Sequence, residues 1–176
     1  MYHEGFLLLK ASPMYLLLLT YFSSLGPNTG DFALKPDLVA PGQNIYMAGS
    51  AQDPLGEIYS ANGFAVASGT SFSAPIVAGA AALVKQKNPK FTAAQVKSAL
   101  MHTASQDVLR DFYGAAVDLR GAGSGKVDAA AAVNSIVTVT PASLSFGVLK
   151  ATTIPQTQQL QITNTGTAAV FIVLIV

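Results

Sequence analysis

Cysteine and tryptophan are absent from this 176-residue chain, and charged residues are scarce at 11%. Without cysteine there is no disulfide framework, no thiolate nucleophile and no cysteine zinc site, and the cellular compartment stays open. Ten lysines and arginines against nine aspartates and glutamates leave a formal charge of +1, so the basic face that nucleic-acid binding needs is missing. Histidine is as sparse, at His3 and His102. His3 has Leu7 where a zinc-binding His-Glu-x-x-His needs its second histidine. What is plentiful is apolar: 51% of residues are hydrophobic, which excludes a disordered chain, and the length suits one domain or one domain and part of another.

The apolar ends do not read as membrane spans. Phe6 to Phe22 is divided by Lys10 and Pro13, and neither piece reaches the roughly 20 apolar residues a spanning helix needs. A signal peptide would want a positive start, where His3 and Glu4 stand instead. A buried parallel strand over Tyr15 to Tyr21 is the simpler reading. Ala168 to Val176 is an apolar run ending at the last residue, which reads as a strand.

Between the ends, Ser23 to Gly30 is a loop, and short strands are expected at Asp37 to Ala40 and Asn44 to Ala48. Ser71 to Lys87 is small and apolar nearly all round and stops at Asn88-Pro89, so it predicts a buried central helix, with Gly79 allowing close approach of a neighbour. Thr92 with Gln95 forms a capping box opening a second helix. Val96, Ala99, Leu100 and Thr103 share its apolar face; Gln95, Ser98 and His102 share its polar face. Asp128 to Val133 predicts a third helix. Beyond Asn134, strands are expected at Ile136 to Thr140, Ser143 to Phe146, Gln158 to Thr163 and Ala169 to Val176. This β-rich stretch is too short to close a sandwich of about 100 residues.

The stretch that carries chemistry is Gly69 to Gly79, GTSFSAPIVAG, a Gly-Thr-Ser turn leading into an apolar helix. Unpaired amides and the positive end of the helix dipole there can stabilise the oxyanion formed when a serine oxygen attacks a carbonyl. The plainer alternative is that Thr70 or Ser71 is an N-cap, and the local pattern alone favours it. Two other motifs fail. An α/β-hydrolase elbow needs glycine two residues after the serine, where Ser73 stands, and a phosphate loop at Gly121 to Lys126 is spoiled by Arg120 and Val127.

The longer string resembles the nucleophile segment of the subtilisin-like serine proteases, Gly-Thr-Ser-x-(Ala/Ser)-x-Pro-x-Val-Ala-Gly, at Gly69, Thr70, Ser71, Ser73, Pro75, Val77, Ala78 and Gly79. Around it FSSLGP (with Leu25 where the family has arginine), KPDLVAPG, the Thr92 to Ala104 helix and the Gly123 to Val133 stretch resemble further family segments in the same order, over about residues 20 to 134. The resemblance implies an α/β fold: the C-terminal part of a doubly wound parallel-sheet domain, residues 1–134, followed over 137–176 by the start of an Ig-like or fibronectin-like β-sandwich module. It implies Ser71 as nucleophile with its amide in the oxyanion hole, Thr70 beside that hole, and Ser68 on the leaving-group side. The family's Asp-(Ser/Thr)-Gly and His-Gly-Thr-His segments, which carry the aspartate and histidine of the triad, are not in the sequence. His102 is expected on the solvent side of a helix, and Asp37 and Asp128 in structural roles. The expectation is therefore a serine endopeptidase fragment, inactive and unstable as a monomer alone. It would act in the intact enzyme on protein or peptide substrates outside the cell or at its surface, with no cofactor needed for the chemistry; the resemblance allows a structural calcium in the intact family, with no ligands assignable here. The rival readings are a non-catalytic remnant or partner-binding β-module protein, and one end of a longer gene product.

Overall fold

The computed structural model describes residues 17–56, 58–106, 109–111, 113–147 and 157–172. Its elements are β1 (Leu17–Leu18), β2 (Ile45–Ala48), β3 (Phe64–Ala67), α1 (Thr70–Lys87), α2 (Ala93–His102), β4 (Leu109–Arg110), α3 (Leu119–Ala122), α4 (Ala129–Val133), β5 (Val137–Thr140) and β6 (Gln161–Asn164). Helices α1, α2 and α4 enclose one apolar core of Ala80, Val84, Phe91, Ala99, Leu100 and Ala132.

Local chemistry sets the helices. The alanine-rich run of α1 has high helix propensity, and Lys85 and Lys87 in its last turn oppose the helix dipole. Lys85 also donates to the carbonyls of Pro89 and Phe91, at 2.7 and 2.6 Å, folding the chain back toward α2. The capping box forms as expected: Gln95 donates its amide to Thr92 Oγ1 at 3.3 Å, and Thr92 donates its amide to Gln95 Oε1 at 2.9 Å. Asp128 caps α4 by accepting the Ala131 amide at 2.9 Å.

Packing corrects several expectations. Helix α1 is not buried all round: its packed side meets α2 and α4, with Leu38 and Val127 against the same core, and Ala80 and Val84 are its buried residues while Leu83 is 50% exposed. Gly79 has open space within 4 Å of where a Cβ would stand, so no described neighbour uses its smallness. Ser98 lies in the interior rather than on a solvated face, since β5 lies against α2 and the Val139 amide donates to Ser98 Oγ at 2.6 Å. Leu119–Ala122 forms a one-turn helix not foreseen, with Asp118 accepting the Arg120 amide at 2.9 Å.

The strands are short. β1 pairs in parallel with β4, and β2 pairs antiparallel with β3, with Ile45 opposite Ala67 and Ala48 opposite Phe64. Only Leu17–Leu18 of the expected Tyr15 to Tyr21 strand is extended; residues 15 and 16 lie outside the described residues. Residues 37–40 are half-buried and carry one parallel bridge, from Val39 to Lys126, in place of a full strand. Val39 donates its amide to the Gly125 carbonyl and accepts that of Val127, at 2.9 and 2.8 Å. Gly125 at φ 115° sits against the Ser105 carbonyl, where a side chain would collide. β5 pairs antiparallel with β6. Residues 143–146 and 169–172 form no strand; residues 173–176 of that expected strand, like most of the Phe6 to Phe22 run, lie outside the described residues. Among the described residues no helix is long and apolar enough to cross a membrane.

Candidate active site

Strand β3 delivers the chain to Ser68, Gly69 and the first turn of α1. The N-cap is Gly69, in extended backbone with no side-chain cap, so Thr70 and Ser71 are the first two helical residues and neither serves as the cap. Both are solvent-exposed, and the Ser71 hydroxyl makes no hydrogen bond among the described residues. In any α-helix the first-turn amides precede the first available intrahelical carbonyl. Those of Thr70 and Ser71 thus face outward at the positive end of an 18-residue helix whose first turn holds no acidic side chain. Pro75 has no N–H to donate to the Ser71 carbonyl four residues back, so the backbone around Ser71 is less tied down by its own helix than a regular turn.

Support comes from the loop after Pro41. Gly69 donates its amide to the Gly42 carbonyl at 2.7 Å. A Cβ on Gly42 would strike the Ser73 hydroxyl and the Gly69 carbonyl, so glycine is what lets this loop lie against the helix start. Asn44 donates its amide to Ser68 Oγ at 2.8 Å, and the Ser68 hydroxyl donates to Asn44 Oδ1 at 3.4 Å. Sequence reasoning missed Gly42 and Asn44; the Pro-Gly-x-Asn order marks a turn but not what the turn grips.

A cleft of about 470 Å³ opens beside this turn, with Ser23, Ser24, Gly42, Thr70, Ser73 and Lys126 among its lining residues. Ser71 itself is not in its wall. His102 is elsewhere, exposed at the end of α2 and lining a separate hollow of about 270 Å³ with Leu34 and Ser124. Its Nδ1 lies 3.0 Å from both the hydroxyl and the carbonyl of Ser98, one tautomer accepting from the former and the other donating to the latter. Asp37 pairs with Lys35 and Lys97 at 2.8 and 2.9 Å. Partial burial pushes its pKa upward, but the hydrogen bonds and charges of the two ammonium groups outweigh that and hold it below the usual carboxylate value. Asp37 thus pins the 35–38 segment to α2, and Asp128 caps α4; neither approaches Ser71 as a catalytic partner would. No three carboxylate or imidazole groups converge as metal ligands among the described residues.

The family model of the subtilases matches residues 18–139. The chain belongs to the subtilase family. Subtilase relatives include the Subtilisin-like protease SBT2.6 of Arabidopsis thaliana, 51% identical over 48% of this chain and 11% of that protein. The Minor extracellular protease Vpr of Bacillus subtilis is 38% identical over 72% of this chain and 15% of its own length. Among solved structures, the serine protease MycP1, an essential component of the type VII (ESX-1) secretion system, aligns over 70% of this chain and 32% of its own at 29% identity, with a TM-score of 0.41. This subtilase chain therefore spans only 11 to 15% of the length of the two relatives. Family membership makes its described core part of an α/β peptidase fold.

Proposed function

We propose that the chain carries the nucleophile segment of a serine endopeptidase, with Ser71 as the attacking residue. The observation that supports this most is an exposed serine hydroxyl, without a hydrogen bond among the described residues, on the first turn of a long helix that has no side-chain cap, in a chain of the subtilase family. Attack of Ser71 Oγ on a peptide carbonyl would form an acyl-enzyme, with the Ser71 amide donating to the oxyanion and Thr70 beside it. Ser68 stands one residue before Gly69 on the leaving-group side.

Attack also requires a base to take the serine proton and a carboxylate to orient that base. His102 is engaged with Ser98 within α2 and opens onto a different hollow, so the described residues supply no such pair, and the isolated chain is expected to hydrolyse no peptide. A complete active site would need its aspartate and histidine from a segment carrying the motifs missing here. The substrate is a protein or peptide, no cofactor enters the chemistry, and the setting is extracellular or cell-surface, in keeping with the name of the Bacillus subtilis relative. No calcium ligands are assigned. Residues 1–134 form the peptidase part, its sheet extended into a doubly wound parallel one by further strands. Residues 137–176 begin an Ig-like or fibronectin-like β module, a reading supported by the antiparallel β5–β6 pair.

The deciding experiment is a chimera in which residues 18–139 replace the matching segment of Vpr. Peptide hydrolysis that disappears with Ser71→Ala supports the reading. A secreted, folded chimera that Ser71→Ala leaves unchanged, or that never turns over peptide, would sink it.

A further inference from the structure

We infer that Asn44 is a positioning residue for Ser71, acting through the Ser68 hydroxyl to fix the turn from which the helix starts; the inference rests on Ser71 as nucleophile. Asn44 adopts φ 54°, a left-handed conformation that asparagine tolerates better than most residues. In that conformation its amide and its side-chain oxygen both meet one hydroxyl, that of Ser68, at 2.8 and 3.4 Å. Two residues earlier the Gly42 carbonyl accepts the Gly69 amide at 2.7 Å. Residues 42–44 therefore hold Ser68 and Gly69, the two residues immediately before Thr70.

The grip has a rigid base, because Asn44 and Ser68 stand just beyond the Ile45–Ala67 rung of the β2–β3 pair. It also has a mechanical reason. Gly69 provides no side-chain cap, and Pro75 donates no hydrogen bond to the Ser71 carbonyl. The direction of the first-turn amides is thus set from outside the helix. The Ser68 hydroxyl, accepting from one group of Asn44 and donating to another, acts on Ser71 by holding backbone.

Because the chain has no cysteine, Ser71→Cys introduces a single thiol whose acidity reports the field of the first-turn amides without any catalytic base. A thiol at a helix N-terminus titrates below the ordinary value of about 8.5. In the 176-residue chain bearing Ser71→Cys, alkylation by iodoacetamide is followed against pH by mass spectrometry. Asn44→Ala and Ser68→Ala are each expected to raise the alkylation midpoint by about half a pH unit. The double variant should go no further than either single change, since both cut one path, and Ser68→Thr, which keeps the hydroxyl, should hold the parent midpoint. In the otherwise unmodified chain, Asn44→Ala should speed amide exchange over 68–72 about fivefold and leave 93–102 unchanged. Additive shifts, unaltered exchange over 68–72, or equal loosening of α2 would overturn the inference. An ordinary midpoint in the parent thiol would count against Ser71 as an anion-stabilised nucleophile, while the exchange measurement still decides the role of Asn44.

Discussion

The Ser98 hydroxyl, fully buried, accepts the amide of Val139 at 2.6 Å and thereby ties α2 to β5. Removing the acceptor would strand the Val139 N–H away from water, and an unsatisfied buried donor costs about 1–3 kcal/mol. Ser98→Ala is expected to lower the unfolding free energy from urea titration by that amount. Exchange of the 137–140 amides should accelerate while that of α4 stays slow. A loss below a few tenths of a kcal/mol would mean the bond carries little.

Acidification should weaken the attachment of residues 35–38 to α2. Asp37 has a pKa lowered in the folded chain by Lys35 and Lys97 against the opposing pull of burial. A depressed carboxylate contributes stability that is present above its unfolded value, about 3.9, and is lost as pH falls through the folded value. The pairs are partly exposed, so the contribution is about 1 kcal/mol or less. Asp37→Asn should lose about that much at pH 7 and flatten the decline of stability below pH 4, as read from denaturation curves at stepped pH.

Two glycines should respond in opposite ways to alanine. At Gly42 a Cβ meets Ser73 and the Gly69 carbonyl, and Gly42→Ala is expected to cost about 1–3 kcal/mol through forced movement of the helix start. At Gly79, inside α1 with nothing within 4 Å, alanine should gain about 0.5–1 kcal/mol from the lower backbone entropy of the unfolded chain. Paired thermal melts test both signs.

Peptide hydrolysis by the isolated chain should equal that of a Ser71→Ala control. In subtilisin itself, losing the histidine alone lowers kcat about 2 × 10⁶-fold, and nothing described here takes that histidine's place. Fluorophosphonate labelling of Ser71 at the rate of an intact protease would contradict this.

The isolated chain is also expected to self-associate. Leu83 on α1 and Tyr46, Phe64 and Val66 on the β2–β3 pair are all at least 49% exposed, and so is Leu18 of the parallel β1–β4 pair. Size-exclusion chromatography should show species larger than a monomer and the chain should bind ANS. A sharp monomer peak without ANS binding would show it to be self-sufficient.

Helices α1, α2 and α4 were legible because their signals are local. α1 begins one residue before the expected Ser71 and ends at the expected Lys87, and the Thr92–Gln95 box forms bond for bond. Ser98 was not legible, since the amide that makes a serine welcome in the interior arrives 41 residues later in the chain. Strand β3 escaped notice because Phe64–Ala67 is four small or apolar residues whose partner lies across a long loop. In the candidate site Ser71, Thr70 and Ser68 could be picked from the string, whereas the grip of Gly42 and Asn44 depends on a backbone approach that no residue type announces.

The parallel pairing of Leu17–Leu18 with Leu109–Arg110 has a consequence for how the chain is made. On the ribosome β1 emerges ahead of α1 and α2, and its partner only after both long helices have been synthesised. At about 5–20 residues per second, the strand waits several seconds with its hydrogen-bonding edge open, while α1 and α2 need only contacts between near neighbours in sequence. Closing so long a loop is slow relative to helix formation. The helical pair is thus expected to assemble during translation and the parallel strands to join late, leaving β1 as the segment a nascent-chain chaperone would find.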